Sequence, residues 1–145
     1  MAEATWQERV NVLTSHGYKR YDESTSSMLG ETAQRLLDEY QGDLRKFRDQ
    51  AGHDVNEEQK RLQQLKEIGK VGADIFLREV QCIWPEVYPH ADAHVTKTAK
   101  KTGLPDNATA LSRLVDREDF PRLVAGLIRV ELANAHDKVQ QDAVR

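Results

Sequence analysis

The chain has 145 residues, 39% hydrophobic and 31% charged, with a net charge of −3. One domain with one main core fits that length, and net acidity weighs against strong nonspecific DNA affinity, which needs basic surface to displace counterions. A lone cysteine, Cys82, excludes an internal disulfide. No apolar run reaches membrane-spanning length and Met1-Ala2-Glu3 does not open a signal peptide, so the expected compartment is cytoplasmic or nuclear.

Strand signals are nearly absent and helix signals recur with short connections, which predicts an all-α fold. Thr5 to His16 places Trp6, Val10 and Leu13 on one face, and His16-Gly17 stops it. Ser24 to Tyr40 follows, with Met28, Leu29, Leu36, Leu37 and Tyr40 inward and Gly42 after its end. Asp43 is placed to cap a short helix that buries Leu44 and Phe47 and ends near Gly52. Asn56 to Leu65 is highly charged; only Leu62 and Leu65 are clearly apolar, and its polar face is expected in solvent.

Val71 to Trp84 gives the strongest helical pattern, with Ile75, Phe76, Val80 and Ile83 as the apolar stripe and Pro85 as the stop. Pro89 and His90-Ala91-Asp92 read as a loop, and Asp92 as the start of a helix that ends near Thr102-Gly103. A short helix from Asn107 to Val115 packs through Leu111, Leu114 and Val115. The last long helix begins near Asp119 and presents Phe120, Leu123, Leu127 and Val130. Polarity rises after Asn134, so residues from about 135 to 145 are expected to fray.

The stretch from Leu65 to His94 carries the chemistry. Two helices, together covering about 56–84, are joined by a turn containing Ile68-Gly69. Glycine there permits positive φ and close approach of a phosphate. The amides opening the next helix are unpaired donors at its positive end, suited to an anion. On spacing alone, an ordinary helix-turn-helix connection is the favoured reading, because short glycine turns are common.

The register Leu65, Ile68, Gly69, Ala73, Ile75, Leu77, followed a helix length later by Ala91-Asp92-Ala93-His94, resembles the helix-hairpin-helix DNA glycosylase superfamily, the endonuclease III-like proteins. The match is specific over about Arg61 to Leu104 and looser over Tyr18 to Leu132. The resemblance implies a helical barrel built around the hairpin. It implies backbone contacts to double-stranded DNA from the amides of Gly69, Lys70, Val71 and Gly72, with Lys66 or Lys70 adding charge. It also implies a monovalent cation, Na+ or K+, on the main-chain carbonyls of Gln63, Leu65 and Ile68. One cysteine excludes the four-cysteine iron-sulfur cluster that many such proteins carry. One departure stands out: Glu67 occupies the family's first glycine and brings a negative side chain near the expected phosphate.

Asp92 falls on the family's catalytic aspartate, which stabilises positive charge on the sugar or activates the nucleophile. The plain alternative is a helix N-cap satisfying the amides of Val95 or Thr96, and the two roles are compatible. Val71 stands where bifunctional members carry a lysine, and Lys70 is rotated about a quarter turn away, so no lyase activity is expected. His90, Asp92 and His94 alternate like metal ligands, but Asp92 to His94 enters a helix, where that spacing diverges. Lys97, Lys100 and Lys101 follow on the same helix, as DNA contacts or as a solvated face. Arg20, Tyr21 and Asp22 lie where the family brings a gap-filling residue. Arg78, Glu79, Arg129 and Glu131 read as structural ion pairs, and Trp6 and Trp84 as packing residues.

Two functions remain open: a small monofunctional glycosylase using Asp92, and a noncatalytic helix-hairpin-helix module that binds DNA backbone or a protein partner. The chain has few residues to spare for the second helical lobe of family enzymes, which counts against the enzyme, and Asp92 at the expected distance from the hairpin counts for it.

Overall fold

Local capping decides where most helices begin. In the computed structural model, which describes residues 3–143, Thr5 opens α1 (Trp6–Ser15) through a reciprocal capping box with Glu8. Asp43 caps α3 (Leu44–Gln50) and Asp54 caps α4 (Val55–Leu62). Asp92 caps α6 (Ala93–Lys101) and Asn107 caps α7 (Ala108–Leu111). The remaining helices are α2 (Asp22–Tyr40), α5 (Lys70–Val80), α8 (Phe120–Leu132) and α9 (His136–Ala143). A short 3-10 turn covers Pro85–Val87, and no strand occurs among the described residues. The fold is all-α, as the periodicity predicts. The chain divides into two compact units, residues 1–73 and 74–145, the division falling within α5.

In the first unit, α1 lies along α2. Trp6 Nε1 donates to Ser27 Oγ at 3.0 Å, Ser26 Oγ donates to the Trp6 carbonyl at 2.9 Å, and Thr14 Oγ1 donates to Asp22 Oδ2 at 2.7 Å. Arg9 reaches across to the Ser26 carbonyl at 3.0 Å, and Gly30 makes room for it: a Cβ there would lie 2.5 Å from the guanidinium. Beyond α1, Tyr40 packs edge-on against the fully buried Phe47, ring centres 5.2 Å apart. Three inward assignments fail here. Trp6, Leu37 and Leu44 are all exposed. Leu37 lies in the second half of α2, which at 19 residues outruns the 10 residues of α1 and loses that cover. Leu44 opens the first turn of its helix. On α4, Leu62 is buried as expected, but so is Glu58, fully, which corrects the reading of an all-solvent polar face.

In the second unit, Val95, Ala99, Leu111, Phe120, Val124 and Leu127 form the core. Tyr88 meets Phe120 edge-on at 5.5 Å, and the Arg117 guanidinium lies over the Tyr88 ring at 4.5 Å. Leu114 is exposed rather than packed, because α7 ends at Leu111. The expected phase of α5 is also corrected. Ile75 and Ile83 face outward, and the buried positions are Ala73, Asp74, Leu77, Gln81 and Trp84. The helix ends at Val80, and Trp84 takes the extended conformation that a following proline imposes. Trp84 then packs edge-on against Phe76 at 5.6 Å. Beyond α8, Asn134 turns the chain with φ 50°, and α9 forms where fraying was expected. The last two residues of that expectation, 144 and 145, lie outside the described residues.

Candidate functional site

The hairpin between α4 and α5 is anchored from below and open above. Leu65 is buried and Ile68 half-buried, whereas Gln63, Gln64, Lys66, Glu67, Gly69, Lys70 and Val71 are exposed and Gly72 is partly so. The turn closes with the Ile68 amide donating to the Leu65 carbonyl at 3.1 Å, and α5 begins with the Ala73 amide donating to Gly69 at 3.0 Å. Helix geometry gives the amides before Ala73 no intrahelical acceptor. Glycine does not supply the reversal. The positive φ in this turn belongs to Glu67, at 61°, which corrects the assignment to Gly69. Glu67 thus takes the backbone conformation that a glycine adopts without cost. Gly72 has a different reason to be small: a Cβ there would lie 3.3 Å from the Ile68 side chain.

The charges around the turn are not all available to a ligand. Lys66 Nζ lies 2.8 Å from Glu31 on α2. Arg35, one turn further along α2, donates through Nη1 to the Gln64 carbonyl. Among the three carbonyls expected to hold a monovalent cation, that of Leu65 already accepts the Ile68 amide.

Asp92 sits in a different setting. Its side chain is 1% exposed. Oδ1 accepts the amides of His94 at 2.8 Å and Val95 at 3.4 Å, so the expected cap is present, with His94 in place of Thr96. Oδ2 lies 2.9 Å from Arg78 Nε, but that N–H is directed at the Asp74 carbonyl, leaving Oδ2 paired in charge without a directional hydrogen bond. Sequence reasoning found Arg78 as an ion-pair former without finding its partner.

Behind this pair, Gln81 ties the loop to α5. Its Oε1 accepts the His90 amide at 2.9 Å, and its Nε2 donates to the carbonyls of Arg78 at 2.9 Å and His90 at 3.2 Å. His90 Nε2 lies 3.9 Å from Asp74 Oδ1. The alternating trio therefore separates: His90 turns toward Asp74, Asp92 toward Arg78, and His94 is exposed. No group of three metal-ligand side chains comes together among the described residues. Asp74 and Gln81 were missed by the sequence reading. Their i, i+7 spacing on one helical face was the available signal.

Arg78 and His94 also line a groove of about 380 Å³ with Ile75, Ile128, Glu131 and Leu132. Glu131 accepts from His136 at 2.7 Å, Thr98 at 3.0 Å and Lys101 at 3.2 Å. Chiefly the His136 bond, then those of Thr98 and Lys101, hold its carboxyl down at about 2. Lys97 is exposed on α6, and Lys100 pairs loosely with Asp106 at 3.6 Å. Arg20 stacks over the exposed Tyr21 ring at 5.1 Å. No helix among the described residues is long and apolar enough to cross a membrane. Comparison with family models, curated proteins and solved structures gives no match.

Proposed function

We propose that this chain is a DNA-binding protein of base-excision-repair type that grips the backbone of double-stranded DNA through the hairpin between α4 and α5. The observation that carries the reading is the turn itself. A residue with φ 61° stands at the family's first glycine, and the outer positions from Gln63 to Val71 are exposed around a buried Leu65. Amides that open a helix have no intrahelical acceptor, and the positive end of α5 there suits an anion, which supports the reading. Lys66 and Lys70 supply local positive charge on a chain whose total is acidic; Glu31 and Glu67 reduce it. Moderate, strongly salt-dependent affinity follows.

A second reading, a monofunctional glycosylase, is favoured by Asp92: a rigidly capped carboxylate with one oxygen lacking a directional bond. For that chemistry Arg78 has to move aside, because the carboxylate is otherwise covered. The noncatalytic module needs no such movement and is the reading we prefer.

Duplex binding followed by fluorescence anisotropy over a salt series tests the first reading. Lys70→Glu weakens binding and reduces the slope of log K against log salt by about one; an unchanged curve removes the hairpin from the interface. A panel of damaged-base duplexes tests the second. Base release by the native chain that disappears in Asp92→Asn supports an enzyme, since asparagine retains the cap. Release that persists unchanged removes Asp92 from catalysis.

A further inference from the structure

Glu31, Arg35 and Glu39 stand on successive turns of α2, and the first two reach the hairpin on either side of its buried anchor, Leu65. Arg35 uses its whole fork. Nη1 donates to the Gln64 carbonyl, Nη2 lies 3.5 Å from Gln64 Oε1, and Nε donates to Glu39 Oε1 at 2.7 Å. Glu31 holds Lys66 at 2.8 Å. Residues 64 and 66 are thus fixed from α2, and the next residue is Glu67, in a conformation that L side chains rarely adopt.

We infer that Arg35 is the positioning residue of the hairpin: it holds the turn in the shape that presents the opening amides of α5, without touching DNA itself. The binding half of this inference rests on the DNA reading given above; the bracing half does not. Exposed ion pairs contribute little by charge alone, so the effect lies in the planar fork that joins a main-chain carbonyl, an amide side chain and a carboxylate. A lysine carries the same charge but is a flexible point donor that cannot reproduce that geometry.

The test compares the native chain with Arg35→Lys and Arg35→Met. In both variants, hydrogen exchange at the Leu65 and Ile68 amides is expected to speed up by about tenfold, with the amides of α6 and α8 unaffected. Affinity for an undamaged duplex is expected to fall by about tenfold in both, with the salt slope unchanged because no phosphate contact is lost. Native exchange rates in both variants overturn the brace. Native affinity in Arg35→Lys, together with a slope reduced by about one in Arg35→Met, shows Arg35 acting as a charge on DNA and also overturns it. If the native chain binds no duplex, the DNA reading falls and takes the binding half with it, while faster exchange still upholds the brace.

Discussion

Replacing Glu67 by glycine tests the geometry of the hairpin most directly. A left-handed conformation costs an L residue about 1–2 kcal/mol, and Glu67 holds φ 61°. Glycine removes that strain but adds about 0.5–1 kcal/mol of backbone entropy to the unfolded chain. The net expectation is about 0.5–1 kcal/mol of added stability, measured by urea denaturation. Glu67→Ala keeps the strain and is expected to remain within about 0.5 kcal/mol of the native chain. The two variants behave alike toward DNA. At a separation of roughly 8 Å in water, removing one like charge gains about 0.5 kcal/mol, or a little over twofold in affinity. Stability therefore separates glycine from alanine, and affinity does not. If alanine stabilises as much as glycine, the backbone at residue 67 carries no strain and the hairpin argument loses its geometric support.

Arg78→Met leaves the Asp92 carboxylate buried without its charge partner and is expected to cost about 3 kcal/mol; adding Asp92→Asn recovers much of that loss, and a double-mutant cycle in urea that shows no coupling refutes the pair. Glu131 makes stability fall in acid. Its carboxyl is depressed from 4.5 to about 2, so its stabilisation is present above about 4.5 and disappears as pH falls toward 2. Glu131→Gln flattens that part of the curve, and parallel curves in thermal melts against pH count against the His136, Thr98 and Lys101 cluster. Phe120→Ala, which removes a fully buried ring from the core of the second unit, is expected to cost about 3–5 kcal/mol in the same denaturation assay.

The candidate site was partly legible. The cap at Asp92 was read correctly because a carboxylate and two amides within three residues decide it. The turn was placed after Leu65, whereas α4 already ends at Leu62, and its positive φ was assigned to Gly69, since glycine is the usual choice and Glu67 an improbable one. The braces at Glu31 and Arg35 were missed because their partners lie 35 and 29 residues away. Their alternating charges at four-residue spacing looked like an ordinary solvated helix face.

Sequence by itself settled what depends on neighbouring residues: the all-α class, the helix starts at Thr5, Asp43, Asp92 and Asn107, and the extended backbone of Trp84 before Pro85, although the helix expected to run to Trp84 stops at Val80. Capping and proline geometry act within one helical turn, so the local string contains the whole cause. Tertiary structure alone decided which face of α5 is inward, why Leu37 is left in solvent, and which partner holds the Asp92 carboxylate. Burial depends on what another segment covers, and apolar periodicity cannot count a Gln81 that is buried because its amide is satisfied by the His90 backbone nine residues on.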